Sequence, residues 1–466
     1  MKMKYITFCS FIFCSSVFAK ELPPSQPVFF NQAIVILPEL LLDPMANTEQ
    51  TVTKMAITAS LEEQINQAIV TKKWHKLKQL LDQYQATENY DQILYLYGAG
   101  ALYRFQGKQK QAIEMYQQII KNNPNLYYPR FDLAMMLFED KQYEKAKKEF
   151  ETTKPFLSSQ MQILIDQLLM TMKKSQEWQT KVNLDFKKTD NVNQSSNLEK
   201  ISIGDAVFIR DQESLPQKAQ GFGYALNISR DYNVLNNHYL SFNSSLDGVN
   251  YWDNHDYSEQ TIRFDFGYKF RDIKQSIGIN PLFAQNILAD SRYSKNYGVG
   301  LNYNRILSDR WQISSNTSYI EKRYRDGQLA KYYDGYSKSQ SVMLIHQFKP
   351  RLIVYGGLDF IQDRVLDNAE SSNRKGVRSG FMYYGEVLGL STNFGYSKRD
   401  FLADNFLYRQ KRLDNEFNFS ITTWNKKWQW KNFTPKINYE YQKIDSNLEL
   451  YERNNGTIFM TIDKAF

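Results

Sequence analysis

The residues of this chain best able to do chemistry are scattered. Its four histidines are His75, His238, His255 and His346, and none pairs with another at a metal-ligand spacing. Each reads as a surface or interface histidine. Both cysteines, Cys9 and Cys14, fall within the first nineteen residues. Gln106-Gly107-Lys108 lacks the upstream glycine and the following Ser or Thr of a phosphate loop. No serine stands in a nucleophile-elbow context. Acidic residues inside alternating segments, such as Asp265 and Glu440, read as polar wall groups. The sequence therefore points to no enzyme, no catalytic residue, no cofactor and no bound metal.

What remains is chemistry of binding, and it needs helices to present it. From Leu61 to about Trp178 the apolar pattern is helical, with a repeat of 34 residues inside it. Gly100 corresponds to Ala134, Tyr103 to Leu137, Ala112 to Ala146 and Tyr116 to Phe150. Gly107 marks a turn between two helices and Pro124 closes the first repeat. This resembles the tetratricopeptide repeat, in which small residues let two helices approach and aromatics fill the space between them. Thr153 departs from that pattern, where a small apolar residue is usual. Leu61 to Tyr84 reads as a degenerate earlier pair, and Gln160 to Lys174 as a helix capping the stack.

In such a stack the first helix of each repeat lines a concave groove. That geometry places Leu94, Tyr97, Ala101, Arg104 and Phe105 there from one repeat. Tyr128, Phe131, Met135, Phe138 and Glu139 follow from the next. A groove lined by Tyr97, Arg104, Phe105, Tyr128, Phe131 and Phe138 suits an extended peptide or an exposed apolar patch. The alternative is that these side chains pack on neighbouring helices or on the segment before them.

Near Trp178 the period falls from 3.6 to 2. Ile262, Phe264, Phe266, Tyr268 and Phe270 alternate with Thr261, Arg263, Asp265, Gly267 and Lys269. Phe417, Phe419 and Ile421 alternate in the same way, as do Ile437, Tyr439 and Tyr441. Alternation gives each strand an apolar and a polar face. The strands are long enough to span a bilayer at a tilt. Short turns at Arg271–Lys274, Ser308–Arg310, Phe348–Pro350 and Asn425–Lys427 alternate with longer polar stretches at 323–336, 362–376, 400–410 and 443–455. That asymmetry is expected of an outer-membrane barrel. Fourteen strands are predicted, with 191–219 the least defined part. Trp311, Trp424 and Trp428 flank short turns, as a periplasmic aromatic girdle would. Ile458, Met460 and Ile462 lead to Phe466 in the manner of a C-terminal assembly signal, from which Lys464 departs. A mean hydropathy of −0.57 beside 15% aromatic residues fits a wall with one apolar face.

The chain opens as a secretory signal does, with Lys2 and Lys4, an apolar run from Tyr5 to Phe18, and Val17-Phe18-Ala19 at the cleavage point. Losing Lys2 and Lys4 lowers the formal charge from +8 to +6. Nucleic acid is not an expected partner of an exported chain, whereas outer-membrane lipid is. The expected organisation is a signal peptide at 1–19, an extended lead at 20–57 rich in proline, a periplasmic helical domain at 58–177 and an outer-membrane barrel at 178–466.

That combination resembles the surface lipoprotein assembly modulator family. His238-Tyr239-Leu240, Asp247-Gly248-Val249-Asn250-Tyr251-Trp252 and Gly267-Tyr268 look like that family's barrel. The resemblance implies a translocator that takes client lipoproteins, or secreted haem- or iron-binding proteins, from periplasm to surface. The helical domain would meet the client and the barrel would aid its passage. The barrel assembly machinery is a further partner to be expected. Fourteen strands lie between a filled barrel and an open channel, so the expected route is a threaded client or a seam between the first and last strands. The competing classes are a polysaccharide export porin, which also joins such repeats to a barrel, and a nutrient porin, which leaves the repeats unexplained.

Overall fold

The computed structural model describes residues 60–428 and 433–465. The signal segment with its two cysteines, the lead at 20–57 and Phe466 lie outside them. Among the described residues seven helices come first: α1 (Leu61–Val70), α2 (Trp74–Gln85), α3 (Gln92–Phe105), α4 (Gln109–Asn122), α5 (Tyr127–Glu139), α6 (Tyr143–Thr153) and α7 (Ser159–Ser175). Ser60 caps α1 by a capping box: its Oγ accepts from Glu63 N at 3.2 Å, while Ser60 N donates to the Glu63 carboxylate at 3.0 Å.

The 34-residue repeat is visible in the packing. Ala112, Ala134, Ala146 and Phe150 are fully buried, and Tyr116 nearly so. A Cβ on Gly100 would lie 2.5 Å from the Tyr116 ring, so α3 and α4 meet where only glycine fits. Gly107 takes φ +67° between α3 and α4; Lys141, 34 residues later, takes φ +63° between α5 and α6. Thr153 also finds its reason. It is fully buried, and its hydroxyl donates to the Tyr127 carbonyl at 2.8 Å, tying the end of α6 to the start of α5.

Fourteen antiparallel strands then close into a barrel. They are β1 (Gln179–Thr189), β4 (Ala219–Leu235), β5 (His238–Tyr251), β6 (Glu259–Arg271), β7 (Gln275–Leu288), β8 (Ser291–Ser308), β9 (Trp311–Tyr324), β10 (Gly335–Lys349), β11 (Leu352–Val365), β12 (Ser372–Tyr384), β13 (Leu388–Asp404), β14 (Lys411–Asn425), β15 (Thr434–Ser446) and β16 (Arg453–Ala465). The segment 191–219 is mostly an outer loop. It carries a separate hairpin, β2 (Lys200–Ile203) with β3 (Ala206–Ile209), that does not join the wall. At the short turn expected at Asn425–Lys427, Lys426–Trp428 form a 3-10 turn, and β15 is described from Thr434.

The predicted faces hold. Phe264, Phe266 and Tyr268 are exposed on the outer wall, while Asp265 between them is buried inside. Connections on the side of the barrel termini are mostly short, as at 236–237 and 309–310, with 426–433 the longer one. Those on the other side are mostly longer; one carries helix α8 (Gly327–Tyr333). The exception is the two-residue turn Ala289-Asp290, whose residues both take positive φ as a tight hairpin needs. Among the described residues no helix is long and apolar enough to cross a membrane; the wall of strands does the crossing.

Candidate binding groove and its seat on the barrel

Helices α3 and α5 bring the predicted groove residues together in two polar rungs. Tyr97 donates its hydroxyl to Asp132 at 3.2 Å. Two turns further along, Arg104 grips Glu139 through Nε at 3.1 Å and through Nη2. Each rung joins residues 35 apart, one repeat plus one position. Burial, then the nearby Asp132 charge, pushes the Tyr97 hydroxyl up to about 12. Burial likewise raises the Asp132 carboxyl above its ordinary 3.8, against the Tyr97 hydrogen bond and the Arg104 charge. Burial also works against the Arg104 charge, but Glu139 outweighs it and holds the guanidinium firmly protonated.

The six predicted groove residues do not all serve alike. Phe105 and Tyr128 are exposed, at 60% and 62%. Phe105 stacks on Trp74 with centroids 4.9 Å apart, extending the apolar surface toward α2. Phe131 and Phe138 are half-buried against the helical core: Phe131 stands edge-on to Phe150, and Phe138 stacks on Tyr143. Sequence reasoning missed Asp132 and Gln109. Gln109 is buried, and its amide donates to Met136 O at 2.9 Å and to Glu139 at 3.2 Å, so it fixes the Arg104 partner from below. A polar residue at the first position of a helix was the available sign of that role.

The helical domain is seated on the turns of β4–β5 and β6–β7. Asn237 Nδ2 donates to the Asp140 carbonyl at 2.5 Å and to its carboxylate at 3.2 Å. The other Asp140 oxygen accepts from Ile273 N at 3.4 Å. Glu144 N donates to Asn233 Oδ1 at 3.0 Å, and the Tyr239 hydroxyl donates to the Lys141 carbonyl. Gln176 completes the junction: its Oε1 accepts from Asn233 N at 2.9 Å, and its carbonyl from Arg230 Nε at 2.7 Å. The left-handed turn at Lys141 is what turns its carbonyl toward the barrel.

Inside the wall, several cations are paired with carboxylates. Arg378 meets Asp359 at 3.0 Å, both almost wholly buried; Arg374 meets Glu416 at 3.2 Å, and Arg412 meets Asp414 at 2.6 Å. Asp265 is held by Arg263 at 2.7 Å. Such pairs brace a polar lining whose single partners would be costly to leave behind. The histidines stay apart: His238 lies by Tyr268, His346 stacks on Trp311, and His255 bonds Asp290 at 2.7 Å.

An antiparallel barrel with an apolar outer band, a charged lining and helical repeats at its termini defines the class: an outer-membrane β-barrel with an appended repeat domain. The sequence comparisons carry this further. The profile of the Surface lipoprotein assembly modifier family matches residues 178–466, and that of its N-terminal TPR repeats matches residues 48–150. The chain belongs to the surface lipoprotein assembly modifier family. It is 28% identical over 406 residues to a Surface lipoprotein assembly modifier of Pasteurella multocida, covering 82% of this chain and 78% of that one. It is 24% identical over 425 residues to the Hemophilin secretion modulator of Acinetobacter baumannii, covering 86% and 84%. With Surface lipoprotein assembly modifier 1 of Neisseria meningitidis serogroup B it shares 23% over 408 residues, covering 86% and 81%.

Proposed function

We propose that this chain delivers specific client proteins from the periplasm to the cell surface. The α3–α5 groove engages the client and the barrel aids its passage. The clients are surface lipoproteins or secreted haem- or iron-binding proteins, in line with the names of its relatives. The observation that carries this reading is the seat of the helical domain. Asp140, Lys141, Glu144 and Gln176 fix it to the turns of the barrel, so a client held in the groove is held at the mouth of the wall. A nutrient porin has no use for such a seat.

The route follows the seam. Among the described residues β1 and β16 pair over nine positions, Lys181–Thr189 against Thr457–Ala465, the shortest pairing in the wall; β1 and β4 pair over eleven. An acyl chain on a client prefers lipid to a charged lumen, so exit beside this seam keeps it out of the lining. Deleting the gene and comparing the protease-accessible surface proteome and the culture supernatant tests the function. Loss of one or a few surface or secreted proteins, restored by the wild-type gene, is the expected result. An unchanged surface and supernatant would overturn it.

A further inference from the structure

On the outer face of the barrel, Arg230 places a cation where a lipid should lie. Arg230 on β4 faces outward, in register with Phe242 on β5 and, through it, with Phe266 on β6. Trp178, just before β1, completes the row: its ring stands edge-on to Phe242 at 5.3 Å. The guanidinium sits 5.5 Å from the Trp178 centroid and 5.3 Å from that of Tyr232. Arg230, Tyr232, Leu240, Ser241, Phe242 and Phe266 border a hollow of about 330 Å³ open to the outer surface, with Trp178 beside it.

Three observations fix the chemistry of what fills it. First, no carboxylate among the described residues pairs with Arg230. Its neighbour Asp231 faces the lumen, where Lys269 at 2.5 Å and Ser241 at 2.7 Å engage it. Second, Nε is committed to the Gln176 carbonyl at 2.7 Å, which pins the guanidinium in place while its terminal nitrogens keep their donors. Third, the depth is right. Phe186, Phe222 and Trp252 cluster at the outer end of the same strands. Arg230 lies eight residues from Phe222 along β4, which is about 19 Å of depth at roughly 3.3 Å per residue and a tilt of about 45°. In an apolar band about 25 Å tall that leaves it about 6 Å from the inner edge, a gap that a long arginine side chain spans by snorkelling toward the phosphates of the periplasmic leaflet.

We propose that this hollow is a phospholipid site. Arg230 binds the phosphate of one periplasmic-leaflet phospholipid, and an acyl chain lies along Leu240, Phe242 and Phe266. Arginine suits phosphate through its fork of donors, and Trp178 sits at headgroup level. Because Arg230 also holds Gln176, the bound lipid braces the point where α7 passes into β1.

Native mass spectrometry of the full chain in detergent, with phosphatidylglycerol added, tests this. Wild type should keep one lipid under activation that strips the rest. Arg230→Gln should lower the retained fraction about tenfold, the loss expected of one charge-assisted hydrogen bond, and Arg230→Lys should restore part of it. Since Arg230→Gln also cuts the Gln176 bond, Leu240→Trp supplies a second variant that fills the hollow and leaves the charge; it too should lose the lipid. Heat-modifiable migration on a gel confirms that each barrel is folded. Inorganic phosphate at the same concentration should not displace the lipid. Equal retention in the Gln and Trp variants, or displacement by inorganic phosphate, would overturn the assignment.

Discussion

Tyr239 of the barrel stands edge-on to Tyr143 of the helical domain, with ring centroids 6.3 Å apart and planes at 83°. Both rings are buried, and the Tyr239 hydroxyl reaches the Lys141 carbonyl. The core of the repeats therefore ends on a barrel strand. Tyr239→Ala should remove roughly 3 kcal/mol from this contact, as truncation of a buried ring does. Cleavage by trypsin around Lys173 and Lys174 should then speed up, while the barrel keeps its folded migration on a gel. Unchanged cleavage would show that the seat holds without this ring.

Gly100 sets the approach of α3 to α4. Adding a side chain there drives a Cβ to 2.5 Å from Tyr116 and 3.3 Å from Met115. Gly100→Val should destabilise the helical domain by about 1–3 kcal/mol, the usual cost of overpacking. Thermal loss of the helical circular-dichroism signal at a lower temperature, with the barrel transition unmoved, is the expected reading.

The repeat and the barrel were legible because each rests on periodicity. Gly100, Ala112, Ala134 and Ala146 recur at one spacing, and β6 alternates aromatic and polar residues without a break. Both signals survive in a single sequence because packing enforces them at every turn. The seat was not legible. Asp140 and Asn237 are 97 residues apart, and nothing in either local sequence announces the other. The groove was half legible. Repeat geometry pointed to Tyr97 and Arg104, but their partners include Asp132, a short side chain that a search for aromatic anchors passes over. Phe131 and Phe138, expected to line the groove by the same geometry, are half-buried and turn toward Phe150 and Tyr143.

Asp132 makes the helical domain sensitive to pH in a fixed direction. Burial, the largest influence, raises its carboxyl above 3.8 in the folded chain. A carboxyl raised on folding binds its proton more tightly in the native state, so stability falls as pH rises from 3.8 through the raised value. Asp132→Asn removes that ionisation and still offers an oxygen to Tyr97. The variant should melt higher than wild type at pH 7.5, and the gap should close near pH 4. A constant gap across that range would mean that the carboxylate charge is not what the fold opposes.

The seam yields the sharpest test of the route. Leu184 and Ile462 are register partners across β1 and β16, and both side chains face lipid. Directly opposed residues of antiparallel strands have Cα atoms about 4.5–5.5 Å apart, inside the roughly 4.4–6.8 Å that a disulfide spans. The two cysteines of the sequence lie at positions 9 and 14, within the segment read as a cleaved signal, so a Leu184→Cys, Ile462→Cys pair should bond to itself. The oxidised barrel should keep its folded migration, yet client display should fall to the level of the deletion strain, and a reductant should restore it. If display persists with the seam locked, the client does not leave between these strands. The remaining path would then be the lumen, past the Arg378–Asp359 and Arg412–Asp414 pairs, and only a chain that enters unfolded could take it.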